Sequence, residues 1–246
     1  MSAPDWLTAR PVAHRGLHDA AQGVIENTPS SIAAAVAAGY AIEVDLQITA
    51  DSEAMVHHDD ALGRLTEGSG LLKAMSAPEL RGVPFKTTAD HMISLGELCE
   101  LVAGRVTLVL ELKSHFDGDY RLPQRVVEVL RSYAGPVAAM SFDPGHIAAI
   151  RQAAPGLRRG LVAERVYRPH HQDRSWFRGK ADYIRALQKA RPQFLAYAVR
   201  DLPAPVPLIS RYLMGLPLLT WTVRNADDRT RASRWADQMI FEGFRP

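Results

Sequence analysis

Cysteine is nearly absent from this chain of 246 residues, and its scarcity excludes a framework of internal disulfide bonds. The one cysteine, Cys99, lies in the apolar, helix-like run SLGELCELV. We therefore expect a buried structural thiol at this position rather than a nucleophile. A chain without internal disulfides is typical of a reducing compartment, so we predict a cytoplasmic protein.

Long apolar runs and targeting patterns are also missing. No stretch reaches the roughly 18 apolar residues that a transmembrane helix needs. The first residues, MSAPDWLTARP, lack the basic and apolar regions of a secretory signal. A hydrophobic content of 47% and a charged content of 23% are ordinary for a globular protein. With no linker or internal repeat in view, we expect one domain spanning residues 1–246.

The net charge of +2 conceals a basic segment between residues 151 and 191, which holds 11 Lys or Arg and 3 Asp or Glu. We expect no nucleic-acid partner for this segment. Solvated helix surfaces are the simplest interpretation. A basic surface also attracts anionic substrates or lipid headgroups, which leaves peripheral membrane contact open as an alternative.

Short apolar runs rich in β-forming residues recur along the chain, with helical patterns between them. This alternation predicts a parallel sheet covered by helices, either open or closed into a barrel. Nine runs occur, one more than an eight-stranded barrel requires: PVAH, AIEVDLQI, EAMVHH, VTLVLELK, PVAAMSF, RRGLVAE, FLAYAV, PLLTWTV and QMIFEG.

The second and third runs account for the extra strand. The segment between them is too short for a parallel crossover, so they must form an antiparallel hairpin. A turn centred on Asp51 and Ser52 makes the numbers of paired residues sum to about 103, which places His58 opposite Asp45. Residues 59 to about 93 fit no strand–helix unit of a barrel, and we expect an irregular insertion there.

Helix boundaries can be recognised at two places. Thr28 followed by Pro29 is typical of an N-cap with proline at the first helical position, and Gly39 can end that helix. Ser94 with Glu97 three residues later forms the pattern of a capping box at the start of a second helix. Both helices fall where a barrel requires them, between successive strands.

Three acidic residues interrupt otherwise apolar strands. A spacing of two places Glu43 and Asp45 on one face of their strand, and Glu111 shares a face with Lys113 in the same way. Buried carboxylates need cationic partners. A site of oxygen ligands favours magnesium, calcium or manganese over zinc. Salt bridges with Lys113 and Arg15 alone are the alternative.

Two histidines, His14 and His58, end strand-like runs, and a pair of acids follows the second. In a parallel barrel the C-terminal ends of the strands emerge at one rim, where such enzymes place their active sites. Two imidazoles beside three strand carboxylates, an arginine and a lysine are hard to explain by structural needs alone. We therefore predict that these groups form one site.

These residues resemble the glycerophosphodiester phosphodiesterase family in order and in spacing. The resemblance is close from residue 11 to about residue 150 and looser beyond. It is carried by the segments AHRG, ENTPSSI, IEVDLQIT, VHHDDALGRLTEGSG, ISLGEL, LVLELK, SFDP and WTV. His-Arg-Gly alone would be a weak signal, but several motifs in the same order are specific.

The resemblance implies a TIM-type (β/α)8 barrel with a small insertion after the second barrel strand. It implies a divalent cation, Mg²⁺ or Ca²⁺ or else Mn²⁺, as the cofactor. It also implies a role for each matching position. The metal ligands are Glu43, Asp45 and Glu111; the acid–base residues are His14 and His58; the phosphate contacts are Arg15 and Lys113; and the residues bracing the first loop are Glu26 and Asn27. Trp221 and Phe142, near other strand ends, are candidates for an apolar wall that binds the alcohol, with ordinary core packing as the alternative.

The implied reaction is the hydrolysis of a small glycerophosphodiester to glycerol 3-phosphate and an alcohol. The family is expected to proceed through attack of the neighbouring glycerol hydroxyl and a cyclic phosphate that water opens. A lysophospholipase D or related phospholipid diesterase, and a non-catalytic phosphate-binding barrel, are the alternatives. One departure concerns the last strand, where Phe241, Glu242 and Gly243 stand in place of the family's usual Thr-Asp-Arg-Pro segment. A loop containing His170 and His171 also lacks a family counterpart.

Overall fold

The computed structural model describes residues 5–165 and 180–246, and it contains a closed parallel barrel. The barrel closes because β1 pairs in parallel with both β2 and β9, the strands at either side of it. The sheet comprises β1 (Val12–Ala13), β2 (Ala41–Ile48), β3 (Ala54–Val56), β4 (Leu108–Leu112), β5 (Val137–Ser141), β6 (Arg158–Ala163), β7 (Phe194–Ala198), β8 (Leu218–Val223) and β9 (Gln238–Phe241). Every strand falls within one of the nine predicted runs, and the predicted TIM-type barrel is confirmed.

Helices follow the barrel strands and cover the outside of the sheet. They are α1 (Pro29–Ala38), α2 (Ala77–Arg81), α3 (Leu95–Val102), α4 (Arg121–Leu130), α5 (Pro144–Ala153), α6 (Lys180–Ala190), α7 (Pro205–Met214) and α8 (Ala226–Trp235). Thr28 and Ser94 are the N-caps of α1 and α3, as their sequence patterns predict. Within the described ranges, none of these helices has the length and hydropathy needed to cross a bilayer.

The strands β2 and β3 form the predicted antiparallel hairpin, but the predicted register is wrong by one residue. Paired residues sum to 102, as in Leu46 with Val56, and the His57 N–H donates to the Asp45 carbonyl at 3.0 Å. The reason lies in the turn, which has three residues rather than two, with Ser52 in the left-handed region at φ 65°. His57, not His58, therefore lies opposite Asp45.

The segment between β3 and α3 forms the irregular insertion that the sequence predicts. It contains α2 and a 3-10 helix at Leu72–Ala74, and isolated bridges such as Thr66 with Phe85 connect its loops. Its apolar side chains form a small cluster of their own. That cluster includes Leu62, Leu72, Leu80, Phe85 and Met92. The insertion is thus held by its own core beside the barrel.

The strands alternate between two apolar layers, and this alternation positions the site. In β2, Ile42, Val44 and Leu46 pack outward in the layer between sheet and helices. Ala41 packs inside the barrel, so Glu43 and Asp45 share that inward face. The interior is close-packed at this level, since a Cβ at Gly160 would lie 2.3 Å from the Phe194 ring. The carboxylates thus lie above a solid apolar layer, at the C-terminal end of the barrel.

Candidate active site

Three carboxylates converge at the C-terminal end of the barrel. Glu43 and Asp45 come from β2 and Glu111 comes from β4, where it pairs directly with Asp45. One oxygen of each lies within 4.8 Å of the others, and all three residues are buried. Carboxylates this close repel one another and lose hydration, so the arrangement requires nearby positive charge.

Two cations supply part of that charge. The Lys113 Nζ lies 2.7 Å from Asp45 Oδ1 and 2.5 Å from Glu111 Oε1, and the Arg15 Nε lies 3.2 Å from Asp45 Oδ2. Burial acts to lower the pKa of Lys113, but the charges of Asp45 and Glu111 outweigh burial and raise it. Burial acts to raise the pKa of Asp45, yet Lys113 and Arg15 hold it well below its usual value. Asp45 is therefore ionised.

Glu43 is not compensated in the same way. Its Oε2 accepts a hydrogen bond from the Arg15 backbone N–H at 3.0 Å, whereas its Oε1 is buried without a hydrogen-bond partner. Burial and the charges of Asp45 and Glu111 hold the pKa of Glu43 well above its usual range. Salt bridges with Lys113 and Arg15 alone therefore leave one carboxylate oxygen unsatisfied. A divalent cation with oxygen ligands fits this donor set, because it would bind that oxygen and relieve the repulsion.

His14 directly follows β1, at the same C-terminal end of the barrel. Its Nδ1 lies 2.5 Å from Glu242 Oε2, and its Nε2 lies 4.0 Å from Glu43 Oε2. Burial lowers the pKa of His14, although the hydrogen bond with Glu242 acts to raise it. The ring is therefore neutral near pH 7, with Nε2 directed at the carboxylate cluster.

His58 lies two residues after β3, the strand that pairs with β2. Its Nδ1 lies 2.8 Å from Asp59 Oδ1, and its ring lines the same cavity as His14. His57 points elsewhere: it is buried with its ring centroid 6.4 Å from that of Phe85, and burial lowers its pKa to about 4. The geometry thus favours His58 over His57 as the histidine that can reach a substrate.

The loop after β1 turns sharply at Gly16. Gly16 has φ 80°, and a Cβ there would lie 2.5 Å from the Ser31 Oγ. The Arg15 Nη1 donates to Glu26 Oε1 at 2.7 Å, and Asn27 Nδ2 donates to Asp45 Oδ2 at 2.9 Å. These contacts hold Arg15 and the loop against β2.

A cavity of about 360 Å³ opens between these groups. The carboxylates line part of it with His14, Arg15 and Lys113, and the rest of the lining combines apolar side chains with Arg200, Arg224 and Asp228. The Phe142 and Trp221 rings form an edge-to-face pair there, with centroids 5.6 Å apart. The Nε1 of Trp221 is buried without a hydrogen-bond partner. The cavity thus combines an anion-binding end with an apolar wall.

The family model that matches this chain is that of the glycerophosphoryl diester phosphodiesterase family, over residues 14–244. The chain belongs to this family. A glycerophosphodiester phosphodiesterase from Caldanaerobacter subterraneus subsp. tengcongensis is 29% identical over 161 residues, which are 61% of this chain. The match spans 65% of that relative's length, slightly less than two thirds.

Solved structures of family members show the same fold. A phosphodiesterase from Oleispira antarctica, in complex with the product sn-glycerol-3-phosphate, has a TM-score of 0.78 at 21% identity, over 96% of this chain and 94% of its own. A glycerophosphodiester phosphodiesterase from Thermotoga maritima has a TM-score of 0.72 at 20% identity, over 94% of each chain. At these identities the likeness concerns the fold.

The structure of this phosphodiesterase family member brings the predicted site residues together. Those that line the cavity are His14, Arg15, Glu43, Asp45, His58, Glu111, Lys113 and Trp221. Glu26 and Asn27 lie behind them and contact Arg15 and Asp45. Part of the basic segment, with His170 and His171, lies outside the described residues.

Two contacts at the site are not anticipated by the sequence analysis. Arg64, in the insertion, donates to Glu26 at 2.6 Å and to Asp59 at 2.5 Å. Glu242, after the last strand, contacts His14 and also Arg224, whose Nε lies 2.5 Å from Glu242 Oε1. The sequence offered one signal for Glu242: an acidic residue directly after the last strand, where the chain departs from the family pattern.

Proposed function

We propose that this protein hydrolyses small glycerophosphodiesters to glycerol 3-phosphate and an alcohol, with a divalent cation and two acid–base histidines. The observation that carries the proposal is the convergence of two imidazoles, three carboxylates, a lysine and an arginine around one cavity. The family membership supports the reaction class. The sn-glycerol-3-phosphate in the Oleispira antarctica complex supports the product.

The charged end of the cavity suits a phosphodiester. Glu43, Asp45 and Glu111 would hold the cation, which supplies positive charge beside the nonbridging oxygens of the phosphate. Arg15 and Lys113 line the same end and can contact those oxygens. Because negative charge grows on these oxygens as the reaction proceeds, fixed cations stabilise the transition state more than the bound substrate.

His14 and His58 divide the proton transfers. One imidazole takes the proton of the glycerol hydroxyl as its oxygen bonds to phosphorus. The other gives a proton to the alcohol oxygen as its bond to phosphorus breaks. Water then opens the cyclic phosphate by the reverse exchange of protons. In both rings a carboxylate holds Nδ1, which leaves Nε2 for the substrate.

The apolar wall suits the alcohol part of the substrate. Phe142 and Trp221 form an edge-to-face aromatic pair in the lining of the same cavity as the carboxylates. Aromatic faces bind quaternary ammonium and other alkyl groups, and they bury little polar surface in doing so. Choline and ethanolamine esters of glycerophosphate are therefore the first substrates to test.

The test is a turnover screen on chelator-treated protein. Glycerophosphocholine, glycerophosphoethanolamine and lysophosphatidylcholine are each supplied with Mg²⁺, Ca²⁺ or Mn²⁺, and glycerol 3-phosphate is measured. We expect turnover of the soluble diesters only with an added ion. Glu43→Ala should raise the ion concentration required by more than about 100-fold, since it removes a ligand, whereas loss of a group that only supports a ligand costs about 10- to 100-fold.

Three outcomes would count against the proposal. Full activity in excess EDTA would show that the reaction does not require a divalent cation. Preferential cleavage of lysophosphatidylcholine would assign the protein to the phospholipid diesterases instead. Tight binding of the diesters without cleavage under any ion would identify a binding protein.

A further inference from the structure

We infer that Glu242 is a positioning residue for His14, holding the imidazole by its Nδ1 so that Nε2 faces the reacting phosphate. The inference rests on the proposed function and adds a residue to its site. The contact is direct, at 2.5 Å between Glu242 Oε2 and His14 Nδ1. It joins two residues that lie 228 positions apart in the chain.

Barrel closure brings the two residues together. The pairing of β1 with β9 sets Ala13 beside Phe241, and the His14 N–H donates to the Phe241 carbonyl at 2.9 Å. Glu242 follows Phe241, and its own N–H donates to Val223 of β8 at 3.1 Å. The backbones of both partners are thus held by neighbouring strands, so their distance is set by the barrel rather than by a loop.

Glu242 is itself held in place and ionised. Its second oxygen, Oε1, accepts from the Arg224 Nε at 2.5 Å, and its side chain is 19% exposed. The His18 Nε2 lies 3.8 Å from Oε2. Burial acts to raise the pKa of Glu242, but the hydrogen bond with His14, together with the nearby His18 and Arg224, lowers it far below its usual value. A fixed, ionised carboxylate is the partner that best selects one tautomer of an imidazole.

The consequence concerns the other ring nitrogen. With the proton on Nδ1 shared with Glu242, Nε2 carries a free lone pair. This nitrogen lies 4.0 Å from Glu43 Oε2, at the edge of the carboxylate cluster. A proton taken from the substrate by Nε2 would produce an imidazolium, and the Glu242 charge stabilises that ion. Without Glu242 the ring could rotate or adopt the other tautomer, and Nε2 would be misplaced.

Kinetics of Glu242 variants test the inference, with Glu164 as the matched control. Glu164 also follows a barrel strand directly, and it also pairs with an arginine, Arg200, at 2.5 Å. Its partner is not a histidine. We expect Glu242→Ala to lower kcat by about 10- to 100-fold while KM changes little. Glu242→Gln, which keeps an acceptor oxygen of the same reach, should recover part of that loss. Glu164→Ala should lower kcat by much less than Glu242→Ala does, because its partner Arg200 lines the cavity but is not a proton-transferring histidine.

A nitrogen-15 NMR spectrum of the histidine rings provides a readout that does not require turnover. His14→Gln assigns the His14 signals. We expect the wild-type ring to carry its proton on Nδ1, and Glu242→Ala to shift the Nδ1 and Nε2 signals toward an average of the two tautomers. Glu164→Ala should leave them unchanged. If Glu242→Ala does not fold, Glu242→Gln serves for both measurements.

The two proposals can fail separately. The positioning role would be overturned if Glu242→Ala cleaved diesters as fast as the wild type, or if the His14 tautomer were the same in both proteins. The proposed function would remain intact in either case. Equal losses in Glu242→Ala and Glu164→Ala would also overturn it, since they would indicate a general effect on the rim. If no diester is cleaved, the proposed function fails, and the NMR spectra still decide whether Glu242 holds His14.

Discussion

The two histidines at the mouth of the barrel are held alike but lie in different surroundings. Each has a carboxylate at its Nδ1, Glu242 for His14 and Asp59 for His58. The side chain of His14 is 11% exposed, whereas that of His58 is 33% exposed. Water can therefore replace part of the environment of His58, while His14 depends on protein groups. The comparison shows that two histidines of one site can be held in different ways. His14 is held by groups of the barrel, and His58 is held by a loop and by solvent.

The supports also differ in origin. The carboxylate at His14 comes from the far end of the chain and is placed by strand pairing. The carboxylate at His58 comes from the next residue, and Arg64 of the insertion holds it from the other side at 2.5 Å. The same Arg64 contacts Glu26, which holds Arg15. The insertion therefore braces the His58 side, whereas closure of the sheet braces the His14 side.

The largest expected effect is the loss of either ring. On the proposed function, His14→Ala and His58→Ala should each lower kcat by roughly 10²- to 10⁴-fold, because each would remove one of the two proposed proton transfers. The affinity for the divalent ion, measured by calorimetry, should be nearly unchanged in both. A His58→Ala protein with normal turnover would contradict the choice of His58 and transfer the role to His57.

The fold was predictable wherever its signals were local. The run AIEVDLQI coincides with β2 at residues 41–48, because a parallel strand buried on both faces reads as a nearly continuous apolar run. Thr28 and Ser94 cap their helices as predicted, since capping depends on residues three positions apart. The hairpin register was wrong because Asp-Ser does not specify a turn length, and Ser52 adds a third turn residue.

The site was predictable where its residues interrupt a pattern. Acidic residues in buried strands stand out, and two-residue spacing shows that Glu43 and Asp45 share a face. The role of Glu242 could not be derived in this way, because its contact with His14 depends on which strands close the barrel. The same limit applies to Arg64, since the path of an irregular insertion is not encoded in a periodic pattern.

A smaller effect is expected from removing the support of His58. Asp59→Ala should lower kcat by about tenfold, less than Glu242→Ala, because a ring that is one third exposed can be rehydrated and partly held by water. Asp60→Ala is the matched control at the neighbouring position, and its kcat should stay within about twofold of the wild type. If Asp59→Ala costs more than Glu242→Ala under the same assay, the exposed ring would be the more dependent one, and the comparison would be reversed.

The smallest effect on turnover is expected at His57, which contributes to the pH dependence of stability instead. Its pKa is lowered to about 4 by burial, whereas the unfolded chain has an ordinary imidazole. Below about pH 6.5 the imidazole is protonated in the unfolded state, whereas in the folded state it stays neutral down to about pH 4. The free energy of unfolding therefore decreases as the pH falls through that window. Between pH 7 and pH 5, the free energy of unfolding, measured in urea, should decrease by about 2 kcal/mol more for the wild type than for His57→Gln. Any cost of placing glutamine in the core is present at both pH values and cancels in this difference.

Turnover of His57→Gln should stay within about twofold of the wild type, because the ring does not line the cavity. An equal loss of stability in the two proteins would show that His57 is protonated in the folded state, and its ring would then need a partner among the acids around His58.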